Sequence, residues 1–138
     1  MNKLFALTLS GAVLPLGALA EGVTLTVEGL RNDRGEVLVA VFDQAEAFDR
    51  LDFDKVVDFA EIPAHMGQVV HQFPALTLGP YAIFLFHDEN SDQDLNFEGT
   101  TLLEGLGASG AANSGDDPDF SAASFPSGPV RIKVHYEE

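Results

Sequence analysis

Residues 22–30 alternate strictly, with Val23, Leu25 and Val27 on one side of an extended chain and Thr24, Thr26 and Glu28 on the other. That period of two predicts a half-buried strand. Asn32-Asp33-Arg34-Gly35 supplies residues that tolerate a reversal, and Glu36 to Phe42 returns as a second strand, so a hairpin is expected. Asp43 to Asp54 is less regular, with a short helical turn expected around Gln44 to Phe48. Lys55 to Ile62 reads as a strand broken at Pro63, and Gly67 to Phe73 as another. Leu76-Thr77-Leu78 then leads into a Gly79-Pro80 turn. Tyr81 to Phe86 is apolar at both parities, which marks a central strand covered on both faces. At the far end Val130, Ile132, Val134 and Tyr136 alternate with Arg131, Lys133 and His135 as a final strand. Between these two strands, Asp88 to Ser121 is a long irregular stretch rich in Gly, Asp, Asn and Ser. A loop of that length in a compact domain is usually functional or mobile. Six or seven short strands separated by turn signals predict an all-β fold, an antiparallel β-sandwich.

The first twenty residues break this pattern. Lys3 is followed by the apolar run Leu4 to Leu16, and Ala18-Leu19-Ala20 has the small-x-small form of a cleavage site. This is the layout of a secretory signal, with cleavage expected after Ala20 and Glu21 as the mature N-terminus. The run is short for a bilayer span, which needs roughly 20 apolar residues, and no later segment qualifies. Residues 1–20 are therefore expected to be a signal peptide and residues 21–138 a single domain, periplasmic or secreted. A domain of that length can bury about two-thirds of its unfolded surface. The chain has no cysteine, so it has neither disulfides nor thiolate chemistry.

The net charge is −15, and losing Lys3 adds one more negative charge. Such a field disfavours nucleic acid and anionic lipid and favours cations or basic surfaces. It also serves simply as solubilising surface charge.

Candidate chemistry sits directly after the central strand. Oxygen-bearing side chains recur at every second position of the acidic loop 88–96: Asp88, Asn90, Asp92, Asp94 and Asn96. Calcium takes six to eight oxygen ligands, and a looped backbone can turn alternate residues inward to supply them. The first three ligand positions match D-x-[DN]-x-[DN]-G. Gln93 replaces the turn glycine, and Gly99 stands where a bidentate glutamate belongs, so an EF-hand is excluded. A looser calcium loop and a merely solvated loop both remain open. Five acids fall within residues 88–98, and a bound cation would relieve their repulsion.

The stretch Gly79-Pro80-Tyr81-Ala82-Ile83-Phe84-Leu85-Phe86-His87-Asp88-Glu89-Asn90 resembles the signature of domain-of-unknown-function family 2141, in which a G-x-Y-A strand runs into H-D-x-N and an acidic loop. Gly99, Glu104 to Ser109, Pro118-Asp119-Phe120 and Ala123-Ser124-Phe125 resemble later blocks of that family. The resemblance implies an exported bacterial β-sandwich, prealbumin-like or immunoglobulin-like, of about seven strands and with no established activity. The loop is also similar to calcium loops of bacterial surface adhesins. Ser91-Asp92-Gln93 replaces the family's glycine-containing loop, and Thr100 to Leu103 departs from its proline-bearing segment.

Other patterns carry less. Gly105 to Gly110 fits G-x-G-x-x-G, but without a strand–loop–helix context it reads as a chance match. His65, His71, His87 and His135 show no zinc spacing, although His87 is placed to join the acidic loop. No serine has the nucleophile-elbow sequence, and 22 acids permit too many carboxylate pairs to single one out, so a hydrolase is the least supported reading. Phe48, Phe53, Phe97 and Phe120 lie in irregular regions, where they either pin loops to the sandwich or form a binding patch. The expectation is an exported, non-enzymatic sandwich with a calcium loop. The alternative is a metal-independent module for a protein, peptide or glycan partner.

Overall fold

The computed structural model describes residues 22–137. The expected signal peptide and its cleavage point lie outside the described residues. Among the described residues nine strands form: β1 (Val23–Leu30), β2 (Glu36–Phe42), β3 (Asp58–Pro63), β4 (Gly67–Phe73), β5 (Ala82–Asp88), β6 (Phe97–Glu98), β7 (Thr101–Leu102), β8 (Gly105–Ala108) and β9 (Gly128–Lys133). Two short helices, α1 (Ala45–Arg50) and α2 (Phe120–Ala123), and a 3-10 turn at Phe53–Lys55 complete it. The strands make a three-stranded sheet in the order β9-β1-β4, a four-stranded sheet in the order β3-β2-β5-β8, and a small β6-β7 ribbon. All pairings are antiparallel except β9 with β1, which runs parallel.

The inner faces carry the alternation read from the sequence. Val23, Leu25 and Val27 of β1 are fully buried against Val37 and Val41 of β2 and Ile83 and Leu85 of β5. Ile132 and Val134 complete this cluster from the C-terminal end. The other face of the four-stranded sheet is covered too. Ala40, Phe42 and Ala82 pack there with Phe48 of α1 and Ala123 of α2, joined by Phe84 and Phe120. β5 is therefore buried on both sides, as its continuous apolar run predicts.

The expected β1–β2 hairpin does not form. The two strands lie in different sheets, and residues 31–35 cross between them. The turn residues are used otherwise: Asn32 Oδ1 accepts from the Arg34 N–H at 2.9 Å, and Asp33 Oδ1 accepts from the Met66 N–H at 2.6 Å. The Ala64 N–H donates to the Gly35 carbonyl at 3.0 Å, so the arch is bonded to a second crossing, between β3 and β4. Crossing keeps the apolar face of each strand inside, an outcome that alternation alone does not distinguish from a hairpin. Gly35 has φ +67°, and a Cβ there would collide with the Asp88 carbonyl.

The strand expected at Lys55 begins at Asp58, because Phe53–Lys55 forms the 3-10 turn. Pro63 closes β3 opposite Glu36, which an edge strand tolerates. The long stretch after Asp88 contains β6, β7, β8 and α2. The G-x-G-x-x-G run supplies β8 and then a turn, with no helix following directly. A Cβ on Gly107 would lie 2.8 Å from Ile132 Cγ2 and 2.9 Å from the Lys133 carbonyl oxygen. Glycine here lets the C-terminal segment pass close by, and His135 bridges Leu106 to tie the two sheets together.

Candidate metal centre

β5 delivers two consecutive residues to opposite faces. His87 is fully buried: Nε2 donates to the Arg34 carbonyl at 2.6 Å, and Nδ1 lies 2.8 Å from the Tyr136 hydroxyl. A carbonyl only accepts, so Nε2 carries a proton. Both ring nitrogens are thus engaged, and Nδ1 also lies 3.7 Å from Glu89 Oε2. Asp88 is equally buried but faces the other way, into the loop that follows.

Ser91 and Gln93 both adopt left-handed φ, at 58° and 65°, and these two reversals coil the backbone around the Asp88 carboxylate. The Asp92 N–H donates to Asp88 Oδ1 at 3.3 Å and the Gln93 N–H to Oδ2 at 2.7 Å. The Asp92 carboxylate accepts from the Asp94 N–H at 3.0 Å, from Asn96 Nδ2 at 2.8 Å and from Asn90 Nδ2 at 3.3 Å. The third carboxylate comes from Glu104, just before β8. It is 3% exposed, and its Oε1 accepts from the Asn96 N–H at 3.0 Å. One oxygen from each of Asp88, Asp92 and Glu104 lies within 4.8 Å of the others. Among the described residues this is the group of acids and histidines able to hold a metal ion. Asn96 Oδ1 and Glu104 Oε2 are buried without a hydrogen-bond partner.

The protonation energetics follow from this crowding. Burial pushes the Glu104 carboxyl up to about 7, with the nearby charges of Asp88 and Asp92 adding to it and the Asn96 N–H opposing it. Asp92 is held below the usual carboxylate range, chiefly by the bond from the Asp94 N–H. Glu89 stands just behind the site. Burial works against its charge, but a bond from Arg31 and the charges of Arg31, His87 and Arg34 outweigh it and hold its pKa down.

Of the five residues singled out in the loop, Asp88 and Asp92 converge with Glu104. Asn96 binds both Asp92 and Glu104. Asn90 is exposed and bonded to Asp92, and Asp94 is exposed and contributes its backbone N–H. Sequence reasoning missed Glu104, which lies sixteen residues from Asp88 and belongs to no linear motif. Its signal was an isolated acid in Leu102-Leu103-Glu104-Gly105-Leu106, where a strand pattern asks for an apolar or small residue.

The four loop phenylalanines divide. Phe48 is buried against Phe42 and Phe120, with centroid distances of 5.7 and 6.1 Å, and pins α1 and α2 to the sheet. Phe53 and Phe97 are 50% and 58% exposed. A separate cleft of about 530 Å³ opens on the outer face of the four-stranded sheet, floored by Phe84, Leu102 and Leu106 and rimmed by Asp49, Asp117 and Glu137. No helix among the described residues is long and apolar enough to cross a membrane.

These features define a two-sheet all-β domain whose central strand ends in a coiled acidic loop, closed by a buried carboxylate from a later segment. The chain belongs to the bacterial family described as "Uncharacterized protein conserved in bacteria (DUF2141)", whose model matches residues 25–134 and so spans the whole site. No curated protein matches the chain, and no solved structure does.

Proposed function

We propose that this chain is an exported, non-enzymatic β-sandwich whose acidic loop binds calcium through Asp88, Asp92 and Glu104, with the Asn96 side-chain oxygen Oδ1 as a further ligand. The observation that carries the reading is the Glu104 carboxylate, buried with one oxygen lacking any donor and set against two other carboxylates. Buried oxygens without partners are costly, and a hard cation satisfies several at once. Oxygens on opposite sides of a calcium ion, at 2.3–2.6 Å each, stand about 5 Å apart, which suits the spacing of this group. Magnesium demands shorter bonds and strict octahedral geometry, so a partly flexible loop favours calcium. Export is supported by Lys3, the Leu4 to Leu16 run and the Ala18-Leu19-Ala20 pattern, and it places the site where calcium is abundant.

The test is a thermal melt of the protein in calcium and in chelator, paired with calorimetric titration. At calcium about a hundred-fold above the dissociation constant, binding stabilises by roughly 2.7 kcal/mol. For a domain of this size that is on the order of 3–6 °C per kcal/mol. Asp88→Asn and Glu104→Gln should each abolish the shift. Identical melts with and without calcium end the proposal.

A second reading, a metal-independent module for a protein, peptide or glycan, is favoured by the exposed rings of Phe53, Phe59 and Phe97 and by the apolar floor of the cleft. It expects partner capture that persists in chelator and is lost on Phe97→Ala. Capture unaffected by that substitution counts against it.

A further inference from the structure

We propose that Arg31 is the positioning residue of the metal centre: it does not touch the ion, but its guanidinium holds the Asp88 and Glu104 backbones together and thereby sets the calcium affinity. The inference rests on the calcium reading above. Asp88 ends β5, whereas Glu104 lies in the connection between β7 and β8. The two ligands therefore come from separate segments, and their closeness depends on how those segments are held relative to each other.

Arg31 gives that support through the neighbour of each ligand. Its Nε donates to Glu89 Oε2 at 2.7 Å, and one terminal NH2 donates to the Leu103 carbonyl at 3.1 Å. Glu89 directly follows Asp88, and Leu103 directly precedes Glu104. One rigid, planar fork thus links the Glu89 side chain, next to Asp88, to the Leu103 backbone, next to Glu104. Arg31 is itself held in place. Its guanidinium carbon stacks 4.3 Å from the Tyr136 ring centroid, and its N–H donates to the Tyr136 hydroxyl, which in turn meets His87. Its partner Glu89 has a side chain only 9% exposed, while the Arg31 side chain is 39% exposed.

Arg34 provides the contrast. It reaches the other Glu89 oxygen at 3.3 Å from a side chain 69% exposed, and among the described residues its guanidinium bonds end there. The two arginines separate charge from position by sign. Each is a cation close to an anionic site, so Coulomb repulsion alone predicts that removing either one tightens calcium binding. Positioning predicts that removing Arg31 weakens it.

The experiment is calorimetric titration of calcium into the full chain and its Arg31→Ala, Arg31→Lys and Arg34→Ala variants at matched ionic strength. Melting in chelator reports the fold of each. Arg34→Ala should bind as the unsubstituted chain does, or more tightly. Arg31→Ala should bind at least about 10-fold more weakly, the scale of losing an orienting group behind a metal ligand. Arg31→Lys keeps the charge but replaces the planar fork with a single ammonium centre, and it should remain weakened. If Arg31→Ala does not fold, the lysine variant carries the test, because its stem still covers Tyr136 and its ammonium still meets Glu89. Unchanged or tighter binding in Arg31→Ala overturns the positioning role, as does full restoration by lysine. If the unsubstituted chain binds no calcium, the metal reading falls and takes this one with it.

Discussion

Glu104 is where a single side chain decides the behaviour of the site. In the unfolded chain it ionises near 4.5, whereas in the folded protein it keeps its proton up to about 7. Between those values the native state binds more protons than the unfolded state. The metal-free domain therefore loses stability from this group as pH rises through that window, and the loss persists above it. Melts in chelator should show it as a fall between about pH 4.5 and pH 7 that Glu104→Gln removes. Calcium competes with the proton, so its affinity should rise over the same interval. A metal-free melting profile identical in the wild type and the glutamine variant would contradict the assignment. A neighbouring constraint is purely steric. Gly35 sits at positive φ with its α-carbon against the Asp88 carbonyl, so Gly35→Ala meets both an unfavourable backbone conformation and a collision. It should cost at least about 1–3 kcal/mol in urea unfolding. It should also weaken calcium binding, since the Asp88 backbone must move. The alternating oxygens of residues 88–96 were legible in the sequence because a coiled loop uses local spacing. Glu104 was not, because a contact sixteen residues away depends on where β8 is laid down.

At the level of elements, the central strand was plain in the sequence because both of its parities are apolar, and the structure covers both. The inner cover is the sandwich; the outer cover is α1, the 3-10 turn and α2, anchored through Phe48. Each helix is too short to be stable alone, so the packing of this ring holds them. Phe48→Ala should destabilise the domain by about 3–5 kcal/mol, as truncation of a buried aromatic ring does, measured by chemical denaturation. The calcium affinity of the folded fraction should be nearly unchanged, because the site is built from β5 and the later ribbon. The failed β1–β2 hairpin teaches the opposite lesson. Asn32, Asp33 and Gly35 are turn residues in either case, and only the partners of Asp33 and Gly35 on the second arch distinguish a crossing from a reversal.

Over the whole molecule, net charge sets the background. At −15 the chain repels itself, and the buried Asp88 and Glu104 and the exposed Asp92 crowd three acids into one place. Raising ionic strength with a monovalent salt in chelator should raise the melting temperature modestly by screening the surface. Calcium at the same ionic strength should raise it further, and magnesium should do less. Equal effects of the two divalent ions would mean general screening and no dedicated site. The sequence by itself determined the all-β class, the buried face of β1, the doubly covered β5 and the acidic loop, because each depends on periodicity or on residues adjacent along the chain. Tertiary structure alone decided that β1 and β2 part into different sheets, that β9 runs parallel to β1, and that Glu104 and Arg31 meet the loop. Those outcomes depend on which faces compete for one core. That competition is settled only when every strand is in place.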